Sequence, residues 1–185
     1  MNFSRLFSGD SYKGTFLYLD TQRKYEIART VIGFAISFGL FIAGYLTTGT
    51  RKNLLTVVAV LGMLPASKGL VSVIMFCRFK SFREKIEVGD VLNAYDMVFT
   101  SEKVNYFVNH LCVSGGCILG YTESSKFNEA AFKDHVQVFL SAERIPEQTI
   151  KVFTDKKAYL NRISSLSASD NKDAACMKVL KQIVL

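Results

Sequence analysis

The sequence predicts an α+β membrane protein: a two-helix transmembrane hairpin followed by a small cytosolic β-β-β-α-β-α-α domain. Three observations point there. Residues 30–48 run 19 positions without a charge, and residues 54–76 run 23 positions with Lys68 as the sole charge. Five residues, 49–53, separate the two runs. Beyond residue 88 the pattern changes to short β-branched stretches and amphipathic helical spacing.

As helices the two runs reach about 28 Å and about 34 Å at ~1.5 Å per residue. Both lengths suit a hydrocarbon core of about 30 Å. A five-residue link is too short for a domain, so the helices are expected as antiparallel neighbours. A soluble core helix rarely goes 19 residues without a charge on any face. The expected organisation is a juxtamembrane segment at 1–29, the hairpin at 30–76, a basic interfacial segment at 77–87 and a cytosolic α/β domain at 88–185.

The net charge of +7 is unevenly spread. Residues 1–90 hold 12 Lys/Arg against 6 Asp/Glu, whereas residues 91–185 hold 11 against 10. Basic residues beside a membrane are attracted to anionic headgroups. Arg5, Lys13, Arg23, Lys24 and Arg29 precede the first run, and Arg78, Lys80, Arg83 and Lys85 follow the second. The turn carries only Arg51 and Lys52. The positive-inside rule therefore places both termini in the cytosol, in a two-span protein of the plasma membrane. The first run starts late and lacks a small-residue cleavage site, so it is expected as an uncleaved anchor rather than a signal peptide.

Residues 1–20 are weakly patterned, with turns expected at Gly9, Asp10 and Gly14. Asp20 or Thr21 is a plausible N-cap for a helix continuing from about 21 to 48, with Tyr45 at the outer interface. Ala35, Gly39 and Ala43 recur every fourth position and form one stripe of small residues. Such stripes let membrane helices approach closely, and they are candidate helix-packing residues. The stripe serves either the second helix, through Ala59, Gly62 and Ala66, or a second copy of the chain. In the second run, Pro65 removes a helical hydrogen bond. Lys68 lies about 12 Å from the cytosolic end, by ~1.5 Å per residue. An intramembrane charge is a candidate functional residue by default. The alternative is that its long stem snorkels to the headgroups.

The domain reads as strands at 98–100, 104–113 and 117–122, the last two joined at the turn Ser114-Gly115-Gly116. Ser124 or Ser125 is expected to cap a helix at about 127–143, with Phe132, Val136, Phe139 and Leu140 on one face. Pro146 ends it, and 149–154 is a fourth strand. Asp155 caps a helix at about 156–167 bearing Tyr159, Ile163 and Leu166. Asp170 or Asn171 starts a last helix bearing Met177, Leu180 and Val184.

No motif places a catalytic group. Gly9 and Gly14 have the glycine spacing of a phosphate loop, but Thr15 stands where its lysine belongs. His110 and His135 have no ligand spacing, and neither HExxH nor GxSxG occurs. Cys77, Cys112, Cys117 and Cys176 fit no common zinc pattern and are expected as thiols. Cys112 and Cys117 are placed to face each other across the turn, which leaves a redox role open, and the alternative is that the cysteines serve as small buried hydrophobes. No motif calls for a metal or a cofactor.

Two resemblances can be stated. The segments YLTTGTRKNLLTVVAVLGMLPASKG, VFTSEKVNYFVNHL, ILGYTE and KVFTDKKAYLNRI resemble a group of small two-pass bacterial membrane proteins without an assigned activity. That resemblance implies a location in the bacterial inner membrane. The order β-β-β-α-β is similar to the nuclease-related domain of the restriction-endonuclease-like fold. In that family an Asp-His pair precedes a glycine turn and a Glu-x-Lys strand. Here Asn109-His110, Gly116 and Tyr121-Thr122-Glu123 stand at those places, so the resemblance implies the fold without its metal-binding carboxylates.

The expectation is thus a membrane-anchored binding or scaffold protein. Its partners would be the lipid bilayer and another protein, with a homo-oligomer as an option. Nucleic acid is not expected, because the domain is nearly neutral. The alternative is a subunit of a membrane transport or channel assembly that uses Lys68, and a membrane-anchored enzyme is a third reading.

Overall fold

A computed structural model describes residues 12–50, 52–101 and 104–185. The expected features at Arg5, Gly9, Asp10 and Arg51 lie outside the described residues. Among the described residues nine elements follow in order: α1 (Tyr18–Thr48), α2 (Leu54–Arg78), β1 (Leu92–Thr100), β2 (Asn105–Ser114), β3 (Cys117–Tyr121), α3 (Glu129–Ala142), β4 (Thr149–Phe153), α4 (Lys156–Ile163) and α5 (Asn171–Gln182). This is an α+β layout, with two long apolar helices followed by a small mixed sheet with helices. The chain divides into two compact units, the helical residues 19–80 and a domain of residues 12–18 with 81–185. Residues 12–18 and 81–87, expected as juxtamembrane or interfacial segments, thus belong to the domain's compact unit.

In the helical unit, α1 and α2 are each long and apolar enough to cross a membrane. Only 17% of the apolar stretch of α1 and 11% of that of α2 is buried. A core helix of a soluble protein would bury most of it. Leu46 (76% exposed), Leu54 (79%) and Leu64 (68%) are among the large side chains left uncovered. α1 begins at Tyr18, earlier than the expected cap at Asp20, which instead sits in the first turn and pairs with Arg23 at 3.0 Å. α2 continues through Pro65 without a break. Its N-cap is Asn53, whose Oδ1 accepts the Thr56 N–H at 2.8 Å. The Nδ2 of Asn53 donates back to the Gly44 carbonyl at 2.9 Å and thereby ties the turn together.

The helices meet through small residues. A Cβ added at Gly69 would lie 2.6 Å from Thr30 Oγ1, one at Gly62 2.8 Å from Ser37 Oγ, and one at Gly33 3.2 Å from the Ala66 Cβ. Each step of three or four residues along α1 is matched by an equal step back along α2.

In the domain, the sheet order is β1-β2-β3-β4. The first three strands are antiparallel, and β4 returns through α3 to pair parallel with β3. One face of the sheet carries α3 and α5 over Met97, Phe99, Val108, Leu111 and Ile118. The opposite face carries α4 and residues 82–88 over Tyr95, Cys112, Leu119 and Tyr121. The outer edge of β1 is covered at both ends. Tyr95 N–H donates to the Gly14 carbonyl at 2.9 Å, and Leu185 N–H donates to the Val98 carbonyl at 3.0 Å. Covered edges remove a template for unwanted strand pairing.

β1 is longer than the expected 98–100, and the reason is a slip in its alternation. Asp96 is fully buried and has φ +55, an uncommon conformation for a non-glycine residue. Ala94 and Met97 consequently face the same core. β2 slips in step, so that Val108 and Leu111 share a face around Asn109. The Asp96 carboxylate accepts the Phe82 N–H at 2.7 Å, which fixes the chain where it enters the domain.

The helices follow their caps. Asn128, rather than Ser124 or Ser125, caps α3 by accepting the Ala131 N–H at 3.1 Å, and the Ser124 carbonyl instead closes a turn with the Phe127 N–H. Phe132, Val136 and Leu140 are buried beneath α3, whereas Phe139 remains 38% exposed. Asp155 caps α4, which ends at Ile163 rather than near 167. Asp170 and Asp173 form a capping box on α5.

Candidate functional site

Two places gather polar chemistry, one in each compact unit. Lys68 is exposed on α2 and lines a cleft of about 410 Å³ within the helical hairpin. Glu26, Arg29 and Thr30 of α1 line the same cleft, with Pro65 and Ser72 of α2. Lys68 was legible in the sequence but these neighbours were not, because Glu26 and Arg29 precede the uncharged run of α1. The close approach of Gly69 to Thr30 puts Lys68 level with the start of that run. Glu26 stands one helical turn before Thr30, and its carboxylate accepts from Gln22 Nε2 at 3.3 Å. Thr30 is 6% exposed, and its Oγ1 has no hydrogen-bond partner. The short turn at 49–53 was the available signal, since it sets which residues of antiparallel helices stand at one height.

The other candidate residues of the hairpin lie elsewhere. Ala35, Gly39 and Ala43 are exposed, and a Cβ added at Gly39 would meet nothing within 4 Å. The hairpin seam instead uses Thr30, Gly33 and Ser37 against Gly69, Ala66 and Gly62. Of the small positions named on α2, Ala59 and Ala66 are buried.

The domain's cluster centres on His110, which is fully buried on β2. Its Nδ1 lies 2.7 Å from the Tyr159 hydroxyl. That hydroxyl is 3.6 Å from Cys112 Sγ, and Cys112 Sγ is 3.8 Å from His110 Nδ1. Tyr95 covers the imidazole with ring centroids 4.5 Å apart, and Tyr121 stacks on Tyr159 at 5.6 Å. Tyr95 is itself held, since its hydroxyl donates to the Ile86 carbonyl at 2.9 Å and accepts the Ile86 N–H at 3.1 Å. His110 Nε2 is buried and has no partner, so the ring is held through Nδ1 alone.

Burial holds this cluster in its neutral forms. Burial lowers the His110 pKa to about 4, and the ring is neutral at pH 7. Burial pushes the Cys112 thiol up to about 12, although the Tyr159 hydroxyl opposes the shift. Burial likewise raises the Tyr159 phenol. A neutral imidazole beside a protonated thiol is the reverse of an activated thiolate pair. His135 is also shifted down by burial, with its ring against Tyr106 and Phe139. Cys112 does not face Cys117. The strand register sets Cys112 opposite Leu119 and Cys117 opposite Ser114, which corrects the cross-turn expectation for these two thiols.

At the positions of the nuclease resemblance, His110 pairs across the sheet with Tyr121. Asn109 Oδ1 accepts the Glu123 N–H at 2.9 Å. A divalent cation is best held by carboxylate oxygens. An amide oxygen already engaged and a buried phenol do not supply that donor set. Among the described residues no group of three or more His, Cys, Asp or Glu is placed to hold a metal ion.

No family model matches the chain, and no curated protein or solved structure matches it.

Proposed function

We propose that this chain is a membrane-anchored binding module. The hairpin holds it in the bacterial plasma membrane with both termini in the cytosol, and the domain recognises a protein partner. The observation that carries the reading is the uncovered apolar surface along α1 and α2. In water that surface would drive aggregation, whereas a bilayer satisfies it. The state of the domain's reactive side chains adds support. His110, Cys112 and Tyr159 are committed to one another inside the core, in protonation states that favour packing over attack.

The domain's outer face offers a recognition surface. On α3, Val138 is 65% exposed and Phe139 38% exposed. Val138 lines a groove of about 430 Å³ with Ile145, between Asp134 and Glu147. An apolar floor with an acidic rim suits a partner helix bearing apolar and basic residues. A photo-crosslinking residue at Val138, in cells carrying the full chain, should yield one discrete protein adduct. The same residue at Lys157, exposed on α4, should not. Equal labelling from both positions would refute recognition through α3. Full release of the protein by alkaline carbonate would refute the membrane anchor.

A further inference from the structure

We infer that the cleft between α1 and α2 holds the phosphodiester headgroup of an anionic lipid, through Arg29 and Lys68. This goes beyond the binding-module reading and rests on its membrane anchor.

The cleft combines three features. The first is charge. Arg29 and Lys68 line it with Glu26, which leaves one positive charge in excess. A phosphodiester carries a single negative charge and balances that excess. A zwitterionic headgroup adds an ammonium that the cleft does not need. Glu26 opposes an anion, but its carboxylate is engaged by Gln22 from one turn earlier on the same helix. The second feature is an idle hydroxyl. Thr30 is 94% buried beside the cleft and its Oγ1, closed against Gly69, has no partner, an arrangement that costs free energy and that a ligand oxygen relieves once α1 and α2 part enough to admit it. The third is level. Thr30 packs on Gly69, so Arg29 and Lys68 stand together where the uncharged run of α1 begins. In a bilayer this is the headgroup boundary, and a lipid phosphate lies at that height. Above it, exposed Val31, Ile32 and Leu64 offer an apolar path for the acyl chains.

The shared chemistry is a phosphate oxygen, which free phosphate also supplies. The test uses the purified full chain in a non-ionic detergent, so that a result is obtained whether or not the hairpin inserts. Insertion is read separately by carbonate extraction of membranes. Short-chain phosphatidylglycerol, short-chain phosphatidylcholine and inorganic phosphate are titrated in turn. Binding is followed by the thermal shift and by native mass spectrometry.

Phosphatidylglycerol should bind one per chain, phosphatidylcholine should not, and inorganic phosphate should bind at least about tenfold more weakly because it lacks the apolar contact. Arg29→Gln and Lys68→Gln should each weaken binding about fivefold. Thr30→Val keeps the side chain's shape and should weaken binding without lowering the stability of the lipid-free protein. Lys24→Gln, at an exposed lysine of the same helix that does not line the cleft, should change nothing. The inference is overturned by equal binding of the two lipids, by inorganic phosphate matching phosphatidylglycerol, or by a loss at Lys24→Gln as large as that at Lys68→Gln. The last outcome would mean diffuse attraction to a basic surface.

Discussion

The hydroxyl of Thr30 lies 2.6 Å from the point where a side chain at Gly69 would begin. Gly69→Ala therefore requires the Thr30 hydroxyl to turn away or α1 and α2 to part, and should cost the hairpin about 1–3 kcal/mol, as overpacking does. Gly39→Ala meets open space and should be neutral, or stabilising by up to about 1 kcal/mol through helix propensity. Helicity during titration with a denaturing detergent compares the two variants. A larger loss at Gly39 than at Gly69 would contradict the seam.

The exposed stripe Ala35, Gly39 and Ala43 bears on self-association. If a second copy packs there, Gly39→Ile should shift a well-expressed protein from dimer to monomer in mild detergent. Because the stripe lies off the hairpin seam, the variant should leave each chain's folding intact. A wild type that is monomeric both in mild detergent and in native membranes would eliminate a dimer through this stripe.

The orientation can be read with thiols. Among the described residues Cys77 is the exposed cysteine, whereas Cys112 and Cys176 are buried. With Cys77 and the half-buried Cys117 both changed to Ser, Thr50→Cys should react with an impermeant maleimide added to intact cells. Lys133→Cys, exposed on α3, should react only after lysis. The reverse pattern would place both termini outside.

Burial of His110 gives the domain an acid-sensitive window. Its folded pKa of about 4 lies below the ordinary 6.5, so between those values the unfolded chain binds more protons. Stability should fall as the pH drops through 6.5 and level off near 4, by about 3 kcal/mol for this group. His110→Gln has nothing to titrate. The difference between the wild-type and variant unfolding curves should therefore carry that slope, and a pH-independent difference would count against the buried neutral ring.

Asp173 works in the opposite direction. Burial raises its pKa, but N–H donors from Asp170, Gly115 and Gly116 outweigh burial and hold the carboxyl below its usual range. Its contribution to stability is present above the unfolded value and is lost as the pH falls through the folded one. Asp173→Ala strands these donors between the β2–β3 turn and α5, and should cost about 2–3 kcal/mol. Asp173→Asn keeps one acceptor and should cost less. Equal unfolding temperatures for Asp173→Ala and wild type would refute this anchoring role.

The helices were the most legible part of the sequence. Their uncharged runs, the 3.6-residue spacing of Phe132, Val136 and Leu140, and the caps at Asp155 and Asp170 all act locally. The first half of β1 was hidden because Asp96 breaks the alternation that marks a strand, and its φ of +55 is not written in any neighbouring residue. The same slip around Asn109 left β2 with only partial alternation. The cluster of His110, Cys112 and Tyr159 was not legible, since its members come from β2 and from α4, 49 residues apart for the His110–Tyr159 contact. The neighbours of Lys68 could have been found by laying the two helices back to back from their turn.

Residues 12–18 and 81–185 form one compact unit although Leu19–Lys80 lie between them in the chain. The domain therefore closes a loop, and a flexible loop of that length would resist closure by its entropy. A hairpin of two long helices removes most of that resistance, because it carries the chain out and brings it back. The order of assembly follows: once the hairpin has formed, the two parts of the domain are delivered to each other. A change that loosens the turn at Asn53 would then slow the folding of the other compact unit.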